Sequence, residues 1–154
     1  MIRRAAAAGI AIAVLALAAC ASPGAGDPTA PVVSAGTVFP TGTPPAEPIV
    51  AARALGDAPD AVQAEATCGE LELDQGEVLP DAAIACIGEA LAAGGAAALA
   101  WSSPTVEGDP IVSFAVVEEG AARIAVHTTT DFDRYGAPGW RLERCAVIAT
   151  HGCA

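Results

Sequence analysis

The sequence contains no lysine and few aromatic side chains, and both shortages limit what the chain is expected to do. Its 7 basic residues are all arginine and stand against 18 acidic residues, which gives a formal net charge of −11. Proteins that bind nucleic acid neutralise phosphates with many basic side chains, so we expect no nucleic-acid partner. The sequence also lacks a phosphate-binding loop, a dinucleotide fingerprint and a serine in a Gly-x-Ser-x-Gly turn, so we predict no cofactor.

The first twenty residues combine a basic start with a short apolar run. Arg3 and Arg4 precede an apolar segment from about Ala5 to Leu17, which is typical of a signal peptide. This segment is too short for a membrane span, which needs about 20 apolar residues. The sequence Leu17-Ala18-Ala19-Cys20 resembles the bacterial lipobox, in which a signal peptidase cuts before a cysteine that carries lipid.

From this resemblance we predict a signal peptide over residues 1–19 and a lipoprotein held by lipid on Cys20 at the extracytoplasmic face of the cell membrane. A diacylglyceryl group supplies two acyl chains, such as palmitate, and two chains hold stably whereas one holds only reversibly. Removing two of the 7 basic residues leaves 5 against 18 acidic ones, a net charge of −13. The alternative is an ordinary secretory signal in which Cys20 is incidental.

Residues 20–59 have the composition of a tether. Most of the 12 prolines fall in this stretch, among Gly, Ala, Ser and Thr, with few large apolar residues. Such a segment buries too little apolar surface to offset the entropy lost on ordering, so we predict a disordered linker that follows the lipidated cysteine. A proline-motif ligand and a glycosylated stalk are the alternatives.

Residues 60–154 are predicted to form one small domain stapled by disulfides, although the sequence leaves open whether residues 57–67 belong to it. The four remaining cysteines are an even number in a chain predicted to be exported, which indicates two bonds. Of the three possible pairings, we favour Cys68–Cys86 and Cys145–Cys153 because both are local. A metal site is the alternative, but the close cysteine pairs typical of zinc sites are missing.

Sequence patterns predict one helix and several strands in this domain. Asp81–Ala93 has Pro80 at its start, Gly94-Gly95 at its end and one apolar stripe between them. We therefore predict an α+β fold, in which this helix packs on a small antiparallel sheet of about four to five strands. The expected strands are 97–103, 111–117, 121–128 and 140–147, with Trp101, Trp140 and Leu142 pointing inward and His127 exposed.

Three stretches of the domain occur together in a known order. They are Val106–Ile111 (Val-Glu-Gly-Asp-Pro-Ile), Asp133–Gly136 (Asp-Arg-Tyr-Gly), and Cys145 followed by His151-Gly152-Cys153. This order resembles a family of small bacterial lipoproteins whose domain has no known function. The resemblance covers about residues 76–154 and implies the Cys145–Cys153 bond and the sheet, but no activity. Members of that family are lysine-rich and lack a counterpart of Cys68–Cys86, so this chain departs from the pattern.

The loops on either side of the predicted central hairpin carry the candidate functional residues. Carboxylates that could converge there are candidates for a cation site, although Asp131–Gly136 matches a calcium loop only in part. The alternative is turn chemistry, with Gly136 at a positive φ. No metal ligand is assigned, and the weak candidates are Glu107, Asp109, Asp131 and Asp133.

The same loop is the candidate interaction surface, because loop aromatics often anchor interfaces. Packing of its aromatic side chains over the sheet edge is the alternative. Neither histidine has a recognisable nucleophile partner, so no catalytic residue is assigned. We expect a binding or interaction module for an envelope protein or a small ligand, and the alternative is a small cation-binding or hydrolytic domain that uses the acidic loop residues. The loop consists of Asp131, Phe132, Asp133, Arg134, Tyr135 and Gly136.

Overall fold

A computed structural model describes residues 42–154. The predicted signal peptide over residues 1–19, the lipidation site Cys20 and residues 21–41 of the predicted tether lie outside the described residues. No helix within residues 42–154 combines the length and apolarity needed to cross a membrane.

Residues 42–154 contain two α-helices, a short 3-10 helix over Asp60–Gln63 and seven β-strands. The helices are α1 (Pro48–Arg53) and α2 (Asp81–Ala93). The strands are β1 (Glu70–Glu72), β2 (Ala97–Pro104), β3 (Pro110–Val117), β4 (Ile124–Thr129), β5 (Trp140–Cys145), β6 (Ile148–Ala149) and β7 (Gly152–Cys153).

The strands form a five-stranded sheet in the order β1-β2-β3-β4-β5 and a separate two-stranded sheet of β6 and β7. Strand β1 runs parallel to β2, whereas the other neighbours in the large sheet are antiparallel. The α+β interpretation is therefore confirmed only coarsely. The large sheet is mixed instead of antiparallel, and the described fold is mostly β-structure.

Helix α2 has the predicted boundaries, and its ends explain them. Gly94 adopts a left-handed conformation at φ 68° and its backbone N–H caps the last turn, which glycine allows without strain. Ile87, in the middle of the helix, is fully buried against the sheet. Cys86 is bonded to Cys68, so the helix is also held covalently to the segment that leads into β1.

The large sheet is covered on two faces, which we name after the helix that packs on each. The α2 face contains the larger apolar cluster, which includes Leu99 and, as expected, Trp101. The α1 face contains a smaller cluster under α1 and the 3-10 helix, composed of Ile49, Ala52, Val62, Ala100, Val112 and Phe114.

Helix α1 corrects the predicted extent of the tether. Ile49 and Ala52 are buried on the sheet, and Val62 joins them from the 3-10 helix. Arg53 lies 5.3 Å from the centre of the Phe114 ring and forms an ion pair with Glu70. The folded domain therefore begins near residue 48 instead of residue 60. This helix was not predicted, because six residues that begin with a proline show too little periodicity to be recognised.

Both favoured disulfides are confirmed. The Cα atoms of Cys68 and Cys86 are 5.7 Å apart, and those of Cys145 and Cys153 are 5.6 Å apart. The first bond joins α2 to the start of the sheet, and the second fixes the short β6–β7 sheet beside the end of β5.

Strand β5 is shorter and more open than predicted. It ends at Cys145 instead of residue 147, because the chain then turns into the β6–β7 pair. Trp140 packs against Phe114 with ring centroids 6.0 Å apart, but Leu142 is 41% exposed, so its inward placement was wrong. Leu142 is exposed because β5 forms the edge of the sheet. The apolar cluster of the α1 face reaches this strand only at Trp140.

Candidate functional site

The loop Asp131–Gly136 is built on the buried end of β4. Thr129 is fully buried at that end, and its hydroxyl donates a hydrogen bond to an Asp131 carboxylate oxygen at 2.5 Å. The Asp131 N–H in turn donates to the Thr129 hydroxyl oxygen at 3.2 Å. These reciprocal bonds fix the direction in which the chain leaves the sheet, in the way that side-chain oxygens commonly order turns.

An ion pair between a buried carboxylate and a partly exposed guanidinium holds the middle of this loop. Asp109 has no exposed surface, and its Oδ1 atom accepts a hydrogen bond from Arg134 Nε at 2.8 Å. Its Oδ2 atom accepts a second bond from the Arg134 backbone N–H at 3.1 Å. Because a buried carboxylate requires compensation, this pair fixes the loop against the β2–β3 turn. Two of the three sequence stretches behind the family resemblance thus meet at one contact.

The turn at Asp133 explains the glycine that follows it. Asp133 Oδ1 accepts a hydrogen bond from the Tyr135 N–H at 2.9 Å. A Cβ atom on Gly136 would clash with Asp133 Oδ2, so a larger residue would displace this carboxylate. Gly136 is not among the glycines at positive φ, so close approach is the reason for glycine here and the predicted positive φ was wrong.

The two aromatic side chains of the loop have different environments. Phe132 is partly buried and packs against the apolar cluster of the α1 face, as does Trp140. Tyr135 is 70% exposed, with the Arg134 guanidinium 5.8 Å from its ring centre. Val106 is 82% exposed on the neighbouring β2–β3 turn, where Arg134 Nη2 lies 3.5 Å from the Glu107 carbonyl oxygen. We call Tyr135, Arg134 and Val106 the two-loop surface.

Three of the four candidate carboxylates are engaged in separate local contacts. Asp109 is neutralised by Arg134, Asp131 accepts the Thr129 hydroxyl bond, and Asp133 caps the Tyr135 amide. Within residues 42–154 no group of three or more histidine, cysteine or carboxylate side chains is placed to hold a metal ion. The oxygens of these three aspartates are therefore directed to local hydrogen bonds, whereas the Glu107 side chain is exposed on the β2–β3 turn.

A groove of about 430 Å³ lies on the α1 face between the 3-10 helix and strand β4. Small side chains such as Ala61 and Ala125 line it, together with Arg123, His127 and Arg144. His127 is half-buried there instead of exposed as predicted. Sequence analysis did not predict this groove, because its walls come from segments that lie far apart in the chain, the 3-10 helix and strand β4.

Burial lowers the pKa of His127 below its ordinary value of 6.5, and the nearby Arg144 guanidinium lowers it further, while Glu118 opposes this. The unfolded imidazole therefore binds a proton at a higher pH than the folded one. Stability contributed by the neutral side chain is present above pH 6.5 and is lost as pH falls below that value.

We predict that His127→Gln reduces the loss of stability between about pH 7.5 and about pH 5.5, because glutamine binds no proton in either state. Urea unfolding at the two pH values measures the difference. His151→Gln, at an exposed position, is the matched control and should leave that difference unchanged. Equal pH dependence in the His127 variant and the unmodified protein would contradict the prediction.

His151 lies at a second groove, on the α2 face. This groove has a volume of about 230 Å³ and is also lined by Ser113, Thr128 and Glu143. The Ser113 and Thr128 hydroxyl oxygens are 2.9 Å apart and bond to each other. No hydrogen bond within residues 42–154 joins His151 to either hydroxyl, so the pairing of base and nucleophile that covalent catalysis requires is not seen there.

Comparison with protein-family models, with curated proteins and with solved structures finds no match for this chain. The resemblance to the bacterial lipoprotein family therefore stays a prediction.

Proposed function

We propose that this protein is a lipid-anchored extracytoplasmic interaction module and that the two-loop surface binds an envelope partner. The proposal depends on the exposure of Tyr135. The preceding residue, Arg134, is hydrogen-bonded to the buried Asp109, which holds this part of the loop in place. An aromatic side chain on a preorganised loop loses little conformational freedom on binding, and such residues are enriched among those that dominate binding energy.

The shape of the surface suits a protein more than a small molecule. Tyr135 and Val106 project from two turns, and the Asp109–Arg134 pair leaves a partly exposed guanidinium beside the tyrosine ring. Small ligands usually require a concave apolar site, whereas projecting aromatic and arginine side chains are typical of protein interfaces. No specific observation favours the alternative of cation binding or hydrolysis.

The membrane anchor and the family assignment belong to the same proposal. Cys20 would carry the acyl chains, residues 21–47 would connect the membrane to the domain, and the domain would belong to the bacterial lipoprotein family that the sequence resembles. Mass spectrometry of the N-terminal peptide tests the anchor. An unmodified Cys20, or a chain that keeps residues 1–19, would remove it.

Tyr135→Ala should reduce recovery of the partner by about tenfold or more, since truncation of a central aromatic commonly costs at least about 2 kcal/mol of binding. The thermal midpoint should stay unchanged because the side chain is exposed. The measurement is capture of envelope proteins by the membrane-anchored full chain, followed by mass spectrometry.

Val147→Ala is the matched control, because Val147 is 58% exposed and lies outside the two-loop surface. Phe132→Ala is unsuitable, since Phe132 packs on the sheet and its loss would change stability as well as binding. Equal recovery by the Tyr135 and Val147 variants would exclude the two-loop surface as the binding site.

A further inference from the structure

Strand β5 is an unusually open edge of the large sheet. It pairs with β4 on one side, and no backbone hydrogen bond within the described part of the chain joins its other side to another strand. Four consecutive residues are exposed, from Arg141 to Arg144. The opposite edge, β1, is only three residues long. An exposed edge of this length is a template for pairing with another strand.

The sequence of β5 is self-complementary about Leu142. In an antiparallel pair, residues equally far from the centre lie opposite each other, one from each strand. With Leu142 at the centre, Arg141 faces Glu143 of a second copy, and Trp140 faces Arg144. The observed pairing with β4 places Arg141 and Glu143 on the α2 face of the sheet. It places Trp140, Leu142 and Arg144 on the α1 face.

From this arrangement we infer that β5 pairs with β5 of a second copy of this chain, in an antiparallel register centred on Leu142, to join two sheets into one. Two symmetric Arg–Glu pairs, two arginine–tryptophan contacts and a central Leu–Leu contact would form across the junction. Such pairs stabilise adjacent strands, and arginine interacts favourably with an aromatic face. This inference does not rest on the two-loop surface.

Other registers are less favourable. A centre on Arg141 or on Glu143 would place like charges directly opposite each other, which destabilises a pair of strands. A centre between Leu142 and Glu143 would oppose Arg141 to Arg144. The Leu142 register opposes Arg141 to Glu143 and places no like charges opposite each other.

Charge also argues for a second copy at this edge. The chain carries 18 acidic against 7 basic residues, so most surfaces of two copies repel each other. Strand β5 holds two arginines and one glutamate, so two copies meet here with little overall repulsion. The partly exposed leucine would be covered in the same contact, which accounts for its exposure in a single copy.

The experiment uses the full-length chain in membranes, expressed with two different tags and carrying Leu142→Cys. A short bismaleimide should link differently tagged copies through this position. Val147→Cys is the control for random contact, and labelling with a monofunctional maleimide shows that the thiol is accessible in both variants. We expect linkage at position 142 and little at position 147.

Charge variants in the Leu142→Cys background test the register. Either Arg141→Glu or Glu143→Arg alone should reduce linkage by about tenfold or more, because two attractive pairs become repulsive. Co-expression of the two single variants should restore linkage between them, and the double swap should restore self-linkage. Absence of linkage, linkage that ignores these charges, or linkage of position 142 to a different protein would overturn the inference.

Discussion

Arg134→Met should lower the free energy of unfolding by about 3 kcal/mol, because it leaves the buried Asp109 carboxylate without its opposite charge. The value is at the lower end of the range for such losses because the guanidinium is partly exposed. Asp109 is fully buried, and Arg134 donates to it a bifurcated hydrogen bond from Nε–H to both carboxylate oxygens and a second bond from the backbone N–H. The substitution leaves the backbone bond and removes the guanidinium. Urea unfolding followed by circular dichroism measures the change.

Two further variants make this result specific. Arg123→Met removes an exposed arginine and should change stability by no more than about 0.5 kcal/mol. Combining Arg134→Met with Asp109→Asn should recover part of the loss, since no buried charge then remains. If Arg134→Met alone cost less than about 1 kcal/mol, Asp109 would have another source of compensation and the loop would not depend on this pair.

Replacing Cys68 and Cys86 with alanine should lower the free energy of unfolding by about 3 kcal/mol, because the unfolded chain regains the freedom of the closed loop. The bond spans 18 residues and joins α2 to the segment before β1. The Cys145–Cys153 bond spans 8 residues. Its removal should cost somewhat less, about 2.5 kcal/mol by the same relation.

Equilibrium unfolding of the two paired variants measures both effects. The variant lacking both disulfides should lose about 5.5 kcal/mol, which approaches the whole stability of a small domain. A loss below about 1 kcal/mol for the Cys68/Cys86 variant would contradict the prediction and would show that packing alone holds α2 on the sheet.

Local signals predicted much of this fold, and the errors arose where structure depends on distant residues. Helix α2 was predictable because its proline start, glycine end and apolar stripe lie within one short segment. Helix α1 was missed because it has only two large apolar residues, Ile49 and Val50. The burial of Ile49 depends on a sheet that is formed by residues much later in the chain.

The exposure of Leu142 could not be predicted from its alternating pattern. The pattern gives the face of the strand, but only the tertiary arrangement shows that α1 leaves this edge uncovered. The candidate site was predicted in part. The sequence identified the loop and its aromatic residues, whereas the bond between Asp109 and Arg134 joins positions 25 residues apart and has no local signature.

The two aromatic residues of the loop were equivalent in the sequence and are not equivalent in the structure. Phe132 packs on the sheet and Tyr135 projects from it. Which of two loop side chains turns inward depends on the cluster beneath them, so neither composition nor spacing separates them.

Photocrosslinking in living cells tests the proposed interaction most directly. A photoreactive amino acid replaces Tyr135 in the full-length chain, and the same probe at Val147 is the control. The proposal predicts one dominant crosslinked envelope protein from position 135 and none from position 147. The same scatter of abundant neighbours from both positions, or no product from position 135, would contradict it.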